Sequence, residues 1–278
     1  MGLVARKLKG TLLRPFLSLI RREKGLVVIT LHNIRVIDFK WFDQLMQLIK
    51  SNFGFATVEE IGFRPIAQPP VSKVVLTFDD GFSSNRILAD KILSKYGVKA
   101  IFFVTEGFIG LGEEESLKFA QRNLYPNSIL SNNQKSECKS MSWDDVGWLV
   151  DQGHTIGAHT RTHPKLSSLA EEECFDEIIK SADQLEKRIA HRINHFAFPF
   201  GTMESVNRSS IKMATGRFEF VFSNVRGSIE KSPGNHFLFR QNLVPGDPLW
   251  LSKAMIEGRL DWRYRKAHQS AHSQLSEL

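Results

Sequence analysis

Short apolar runs, each too brief for a helix, alternate along almost the whole chain with stretches of helical period. That alternation narrows the fold to one class. Leu26-Val27-Val28-Ile29-Thr30-Leu31 has no polar face, as expected of a strand covered on both sides. From Asp38 to Phe53, Phe42, Leu45, Met46 and Ile49 recur at helical spacing. A strand over 73–78, a helix over 85–96 and a strand over 100–104 repeat the unit. Ser142 is placed to cap a helix carrying Val146, Leu149 and Val150. A strand over 154–158, a helix over 170–190 and a strand over 195–198 follow. A further helix, strands over 218–222 and 236–240 and a helix near 248–258 complete the series. Because parallel strands need crossover helices, the pattern predicts an α/β fold with a mainly parallel sheet, in a single domain over 26–258.

Three stretches break the rhythm. Pro65 to Pro70 holds three prolines and reads as a surface loop. Residues 106–140, with Gly107, Gly110 and Gly112 before Glu113-Glu114-Glu115, read as an irregular insertion that covers an active site. The polar tail over 259–278 is expected to be partly disordered.

The net charge of +7 is unevenly placed. Arg6, Lys7, Lys9, Arg14, Arg21, Arg22 and Lys24 face only Glu23 within residues 1–25, so the remainder is nearly neutral and a nucleic-acid partner is not expected. In the same arm Val4, Leu8, Leu12, Phe16 and Ile20 recur every fourth residue, opposite Lys7, Arg14 and Arg21. Such a helix suits peripheral contact with an anionic membrane through residues 1–22, or packing on the body, with Pro15 interrupting it either way. No apolar run reaches the length of a membrane span, and charges interrupt any leader-like stretch. The expected location is cytoplasmic, at the inner face of the membrane. Cys138 and Cys174 lack metal-type spacing and are expected to remain thiols.

The chemistry-bearing residues all fall just after strands, where barrels and open α/β sheets place their sites. Thr77-Phe78-Asp79-Asp80-Gly81 offers paired carboxylates, and His159-Thr160-Arg161-Thr162-His163 offers imidazoles four residues apart. Alone, the first is equally a turn with a helix cap. Together, Asp80, His159 and His163 form a ligand set suited to a divalent metal ion. Zinc is the first expectation, with cobalt, nickel or manganese as alternatives. Asp79 is then left as a general base, and Arg240, after Phe237-Leu238-Phe239, is a candidate to hold it. His32, at the end of the first strand, is the candidate acid. Pro199-Phe200-Gly201 is the candidate substrate-binding turn, with a backbone N–H near Phe200 as oxyanion donor. His154 reads as a structural residue of its strand.

These residues resemble the polysaccharide deacetylases, the NodB-homology domain of carbohydrate esterase family 4, over about residues 26–245. Thr77 to Gly81 is similar to that family's first motif, and the resemblance implies Asp79 as base and Asp80 as metal ligand. His159 to His163 resembles the second motif, implying both histidines as ligands. Ala197-Phe198-Pro199-Phe200-Gly201 resembles the third but carries Ala197 where many members have arginine. Leu31-His32 looks like the counterpart of a motif that usually follows the last strand. It implies a circularly permuted, exopolysaccharide-type member with His32 as acid. The implied fold is a distorted (β/α)7 barrel, and the implied activity is metal-dependent removal of acetyl groups from N-acetylated sugars. The implied substrate is an acetylated glycan: a polysaccharide, an oligosaccharide or a lipid-linked glycan. Another amide or ester hydrolase on this scaffold, or a glycan-binding module without catalysis, stays open as an alternative.

Overall fold

The computed structural model describes residues 25–62, 72–126, 128–132, 135, 137–234 and 237–276. The basic arm and the proline-rich loop lie outside the described residues, apart from Gly25 and Gly62 at their edges. Strand β1 (Leu26–Leu31) is buried throughout, and helix α1 (Phe39–Asn52) buries the four apolar residues of its periodic face. A two-residue strand β2 (Gly54–Phe55) precedes β3 (Lys73–Phe78). Helix α2 spans 83–96 with a π-helical middle turn, and β4 (Ile101–Val104) follows. Helix α3 spans 113–124, and α4 (Trp143–Asp151) leads to β5 (Thr155–Ala158). Ser142 caps α4 in a reciprocal box: the Asp145 N–H donates to Ser142 Oγ (3.0 Å), and the Ser142 N–H donates to the Asp145 carboxylate (2.9 Å). Helix α5 spans 171–189, and β6 (His195–Ala197), α6 (Arg208–Arg217) and β7 (Phe220–Phe222) follow. Strand β8 (Gln241–Asn242), α7 (Leu249–Ile256) and α8 (Arg265–Ser276) end the described chain.

The strands pair in parallel in the order β7-β6-β5-β4-β3-β1-β8, with β2 beside β3. The segment after β7 joins the two edges: Leu238 bridges Phe222 in β7, while Gln241 and Asn242 pair with Ile29 and Thr30 in β1. The curled sheet thus closes into the distorted barrel of a single domain. Its interior holds Val28, Val75, Ile101, Phe103, Phe222 and Leu238, and a larger apolar layer lies between sheet and helices. Strands β1 and β3 pair in register from Leu26 with Lys73 to Leu31 with Phe78. His32 and Asp79 therefore leave the sheet at one level, at its C-terminal end.

Three expectations need correction. Of the strand expected over 236–240, the described residues 237–240 form no continuous strand. Leu238 makes a single bridge, and the Arg240 N–H turns to the Val225 carbonyl (3.0 Å) rather than to a ladder partner. The 106–140 segment is only partly irregular: α3 occupies 113–124 and closes a small core of Phe82, Phe108, Ala120, Leu124, Leu130 and Cys138. The tail is folded, and the domain runs to at least residue 276. Ala271 is buried, Ala267 and Leu275 pack on the main core, and the His268 ring stacks on Phe239 at 4.9 Å. Polar composition hid that helix because its apolar face is only a few residues wide. Cys138 and Cys174 are buried thiols.

Candidate active site

Strand β3 delivers two consecutive carboxylates, and the backbone sends them apart. Asp79 continues the strand direction, its N–H donating to the Leu31 carbonyl (2.8 Å), whereas Asp80 takes φ +80°. Aspartate tolerates that left-handed region better than most residues, and Gly81 follows at φ +98°. Asp79 then faces β8 and Asp80 faces β5.

Asp79 meets Arg240 in a two-pronged ion pair, Nη1 to Oδ1 and Nη2 to Oδ2, both 2.8 Å. Arg240 is fully buried, donates through Nε to the Ser223 carbonyl (2.7 Å) and through Nη1 to Thr77 Oγ1 (3.1 Å). Its guanidinium lies 5.4 Å from the Phe103 ring and 6.0 Å from Phe222. Burial pushes the Asp79 carboxyl upward, but the positive charge of Arg240, with smaller pulls from His159 and His32, holds it below its usual range. Asp79 is accordingly a carboxylate at neutral pH. The guanidinium thus reaches Asp79 from the barrel's closing segment, while Ala197, where the resemblance expects arginine, is buried in the barrel interior.

Asp80, His159 and His163 converge, and their ligand atoms lie within 4.8 Å of one another. Asp80 Oδ1 is 3.7 Å from His159 Nε2 and 3.6 Å from His163 Nε2. Each imidazole's other nitrogen lies against a carbonyl, which can only accept, so that nitrogen carries the hydrogen. His159 Nδ1 lies 2.7 Å from the Ala197 oxygen, and His163 Nδ1 lies 3.2 Å from that of Asn123. In neutral rings so bonded, both Nε2 atoms present lone pairs to Asp80. Burial holds His159 down to about 4, against the pull of Asp79 and Asp80, so its ring is neutral.

Asp80 Oδ1 is buried without a hydrogen-bond donor among the described residues. Two lone pairs and an unpartnered carboxylate oxygen facing one point fit a cation and little else. Bonds of 2.0–2.2 Å in a tetrahedron put ligand atoms about 3.4 Å apart, close to the spacing seen. The residues fit a divalent metal ion.

The histidine pair does not converge by helical geometry, which the spacing of four also allowed. Thr160 (φ +64°) and His163 (φ +61°) both lie in the left-handed region, and a loop brings the rings to 5.0 Å. Two such residues cost on the order of 1–3 kcal/mol each and persist only under close restraint. The restraint is visible: Thr160 Oγ1 accepts the His163 N–H (3.0 Å), and the Glu106 and Gly107 N–H groups donate to the Thr160 and Arg161 carbonyls (3.0 and 2.9 Å). Glu177 of α5 accepts the N–H groups of Arg161 and Thr162. Sequence reasoning missed Glu177, since nothing in its spacing from His163 distinguishes it from neighbouring surface acids.

The Pro199-Phe200-Gly201 turn lies beside this loop. Phe200 (φ +57°) sets its partly exposed ring edge-on to His163 at 4.8 Å. Gly201 is obligatory there, because at φ +59° a Cβ would lie 2.4 Å from the Asn224 nitrogen. His32, half-buried just after β1, is near enough to bias Asp79. His154 is structural: its Nδ1 accepts the Ala100 N–H (3.2 Å) and its ring stands edge-on to Phe102. Tyr125, also unforeseen, stacks on Phe82 at 6.1 Å, and burial together with the nearby Asp80 charge raises its phenol strongly.

Comparison with known proteins identifies relatives of the chain and of its fold. A peptidoglycan-N-acetylglucosamine deacetylase of Bacillus cereus is 27% identical over 164 residues, covering 58% of this chain and 47% of its own. The chain spans about half the length of the curated relatives it matches. Among solved structures, IcaB from Ammonifex degensii matches with a TM-score of 0.67 at 20% identity, over 86% of this chain and 99% of its own. The Streptococcus pyogenes deacetylase PplD, solved with acetate, matches with a TM-score of 0.64 at 20% identity, over 84% and 99%. Both likenesses show the shared fold. The family model for polysaccharide deacetylase matches residues 67–216, a stretch that holds both carboxylates, the histidine loop and the Phe200 turn. Since it takes in more than half of the sequence, the chain belongs to the polysaccharide deacetylase family.

Proposed function

We propose that the protein is a metal-dependent hydrolase that removes acetyl groups from N-acetylated sugars of a glycan. One observation carries the reading: a carboxylate held ionised by a buried guanidinium stands next in sequence to a carboxylate that closes a two-histidine cation group. Asp80, His159 and His163 would hold the ion, which would acidify water and polarise the acetyl carbonyl. Asp79 takes the proton of the attacking water, and the fork of Arg240 fixes both its oxygens so that no rotamer search precedes the transfer. His32 gives a proton to the departing sugar amine. The Phe200 backbone N–H steadies the oxyanion, and its ring forms one wall of the acetyl site.

N-acetylglucosamine is the first sugar to test, since a relative's name specifies it. Acetate release would be followed from N-acetylglucosamine oligomers and lipid-linked N-acetylglucosamine, with and without zinc or cobalt, for wild type and Asp79→Asn. Metal-dependent release abolished by the substitution is expected. No release from any of them, with one ion bound per chain, would turn the reading to another acyl substrate or to a binding module. The same reading seats the enzyme on the cytoplasmic membrane face through residues 1–22. Their deletion then shifts the protein to the soluble fraction without abolishing hydrolysis, and unchanged fractionation would refute that seat.

A further inference from the structure

The loop that carries both histidines turns its backbone donors away from the candidate cation group, toward α5. One side chain there takes three hydrogen bonds: Glu177 Oε2 accepts the N–H of Arg161 (2.9 Å) and of Thr162 (2.8 Å), and Oε1 accepts the Thr162 hydroxyl (2.6 Å). These two amides lie between Thr160 and His163, the residues at positive φ. Glu177 is thus bonded to the part of the loop that the sequence itself disfavours.

The helix under the loop is also irregular. Within α5 the turn Asp176–Lys180 is π-helical, and a π turn at this point changes which side chains face the loop. The second helix touching the loop behaves alike. The turn Ala120–Leu124 of α3 is π-helical and supplies the Asn123 carbonyl that lies against His163 Nδ1. Carbonyls in the last turn of a helix lack intrahelical donors, so this oxygen is available to the imidazole. Two π turns from different parts of the chain therefore support one four-residue connection between candidate ligands. Outer partners that orient ligands commonly change metal affinity by about ten- to a hundredfold.

We propose that Glu177 is a positioning residue for the cation group: its carboxylate holds the 160–163 loop in the backbone geometry that points His163 at Asp80. The role is one of hydrogen bonding, not of charge. An amide at position 177 keeps all three bonds, its oxygen taking the two N–H groups while its NH2 donates to the Thr162 hydroxyl. The inference rests on the metal-dependent reading of the site.

The test uses the full chain, stripped of metal and titrated with cobalt and with zinc, read by calorimetry and by the visible absorption of the cobalt form. Wild type is expected to bind one ion. Glu177→Ala is expected to bind about ten- to a hundredfold more weakly with an altered cobalt spectrum, and Glu177→Gln to stay within about threefold of wild type. Should Glu177→Ala fail to fold, Thr162→Val removes one of the three bonds and is expected to weaken binding in the same direction, by less than about tenfold. Affinity within about twofold of wild type in Glu177→Ala, or in Thr162→Val where the alanine variant does not fold, would overturn the proposal. So would a Glu177→Gln loss as large as that of alanine, since charge would then be responsible. A wild type that binds no ion would instead overturn the reading of the site, and this inference with it.

Discussion

Replacing Arg240 by alanine removes the side chain that pairs with Asp79 among the described residues, and the size of the effect follows from what is left behind. The guanidinium makes two bonds to the carboxylate, one to the Ser223 carbonyl and one to Thr77 Oγ1, all in a fully buried setting. Without it a buried carboxylate faces apolar walls that include Phe103 and Phe222. Breaking one side of a buried pair costs about 3–5 kcal/mol, because the remaining charge is uncompensated. In a domain near this size each kcal/mol moves Tm by about 2–4 °C, so Arg240→Ala should melt roughly 6–20 °C lower. Urea unfolding of the chelator-treated protein gives the free energy directly. The decisive comparison is the double-mutant cycle with Asp79→Asn. Once the carboxylate is neutral, losing Arg240 no longer strands a charge, so the two changes should be non-additive by about 2 kcal/mol or more. Arg240→Lys keeps the charge without the fork and should fall between wild type and alanine. Additivity within about 0.5 kcal/mol would refute the claim that Arg240 acts through Asp79.

Two further outcomes test other parts of the fold. His195 stacks on Phe220 at the opposite mouth of the barrel, beside a cavity of about 580 Å3, and its Nε2 is buried without a hydrogen-bond partner among the described residues. Burial lowers it from 6.5 to about 4, against a weak pull from Glu59, so it stays neutral in the folded chain while the unfolded chain protonates near 6.5. Stability is then fully present above pH 6.5 and is lost as pH falls toward 4. Wild type should lose roughly 2 kcal/mol between pH 7 and pH 5 from this group, and His195→Phe should flatten that slope in urea titrations at the two pH values. An equal slope in both proteins would sink the assignment. Ala271, buried in α8, should not accept a charge: Ala271→Glu is expected to cost about 3 kcal/mol or more, while the exposed Gln269→Glu should stay within about 0.5 kcal/mol, both measured by thermal melting.

Much of this was legible because strands in a closed parallel sheet are apolar on both faces and end at chemistry. The apolar run before Asp79 and the one before Arg240 placed both residues at the same end of the barrel, which is why their pairing could be anticipated. What escaped depended on backbone conformation. Two histidines four residues apart allow a turn or a helix start alike, and the rings meet through positive φ at Thr160 and His163, for which threonine and histidine carry no sequence signal. Glu177 was invisible for a related reason: its role depends on a π turn that shifts side-chain direction inside an otherwise ordinary acidic helix. The helix over 265–276 was missed because its packing relies on Ala267, Ala271 and Leu275, too few apolar residues to stand out among serines and glutamines. The glycines before Glu113 likewise overshadowed the helical content of the stretch that follows.

The closing segment has a consequence for the order in which the molecule becomes competent. Ile29 pairs with Gln241, 212 positions later, and Arg240 is the residue just before that pairing. A chain still being synthesised acquires Asp80, His159 and His163 well before it acquires Arg240. On the proposed reading the cation group can therefore assemble while Asp79 still lacks its counter-charge, in a sheet whose seam is still open. Slow, non-local pairing of this kind is the step that topology delays most. On the proposed reading, then, the cation ligands are all present before Arg240 is, and the last described strand to leave the ribosome both shuts the barrel and brings Asp79 its counter-charge.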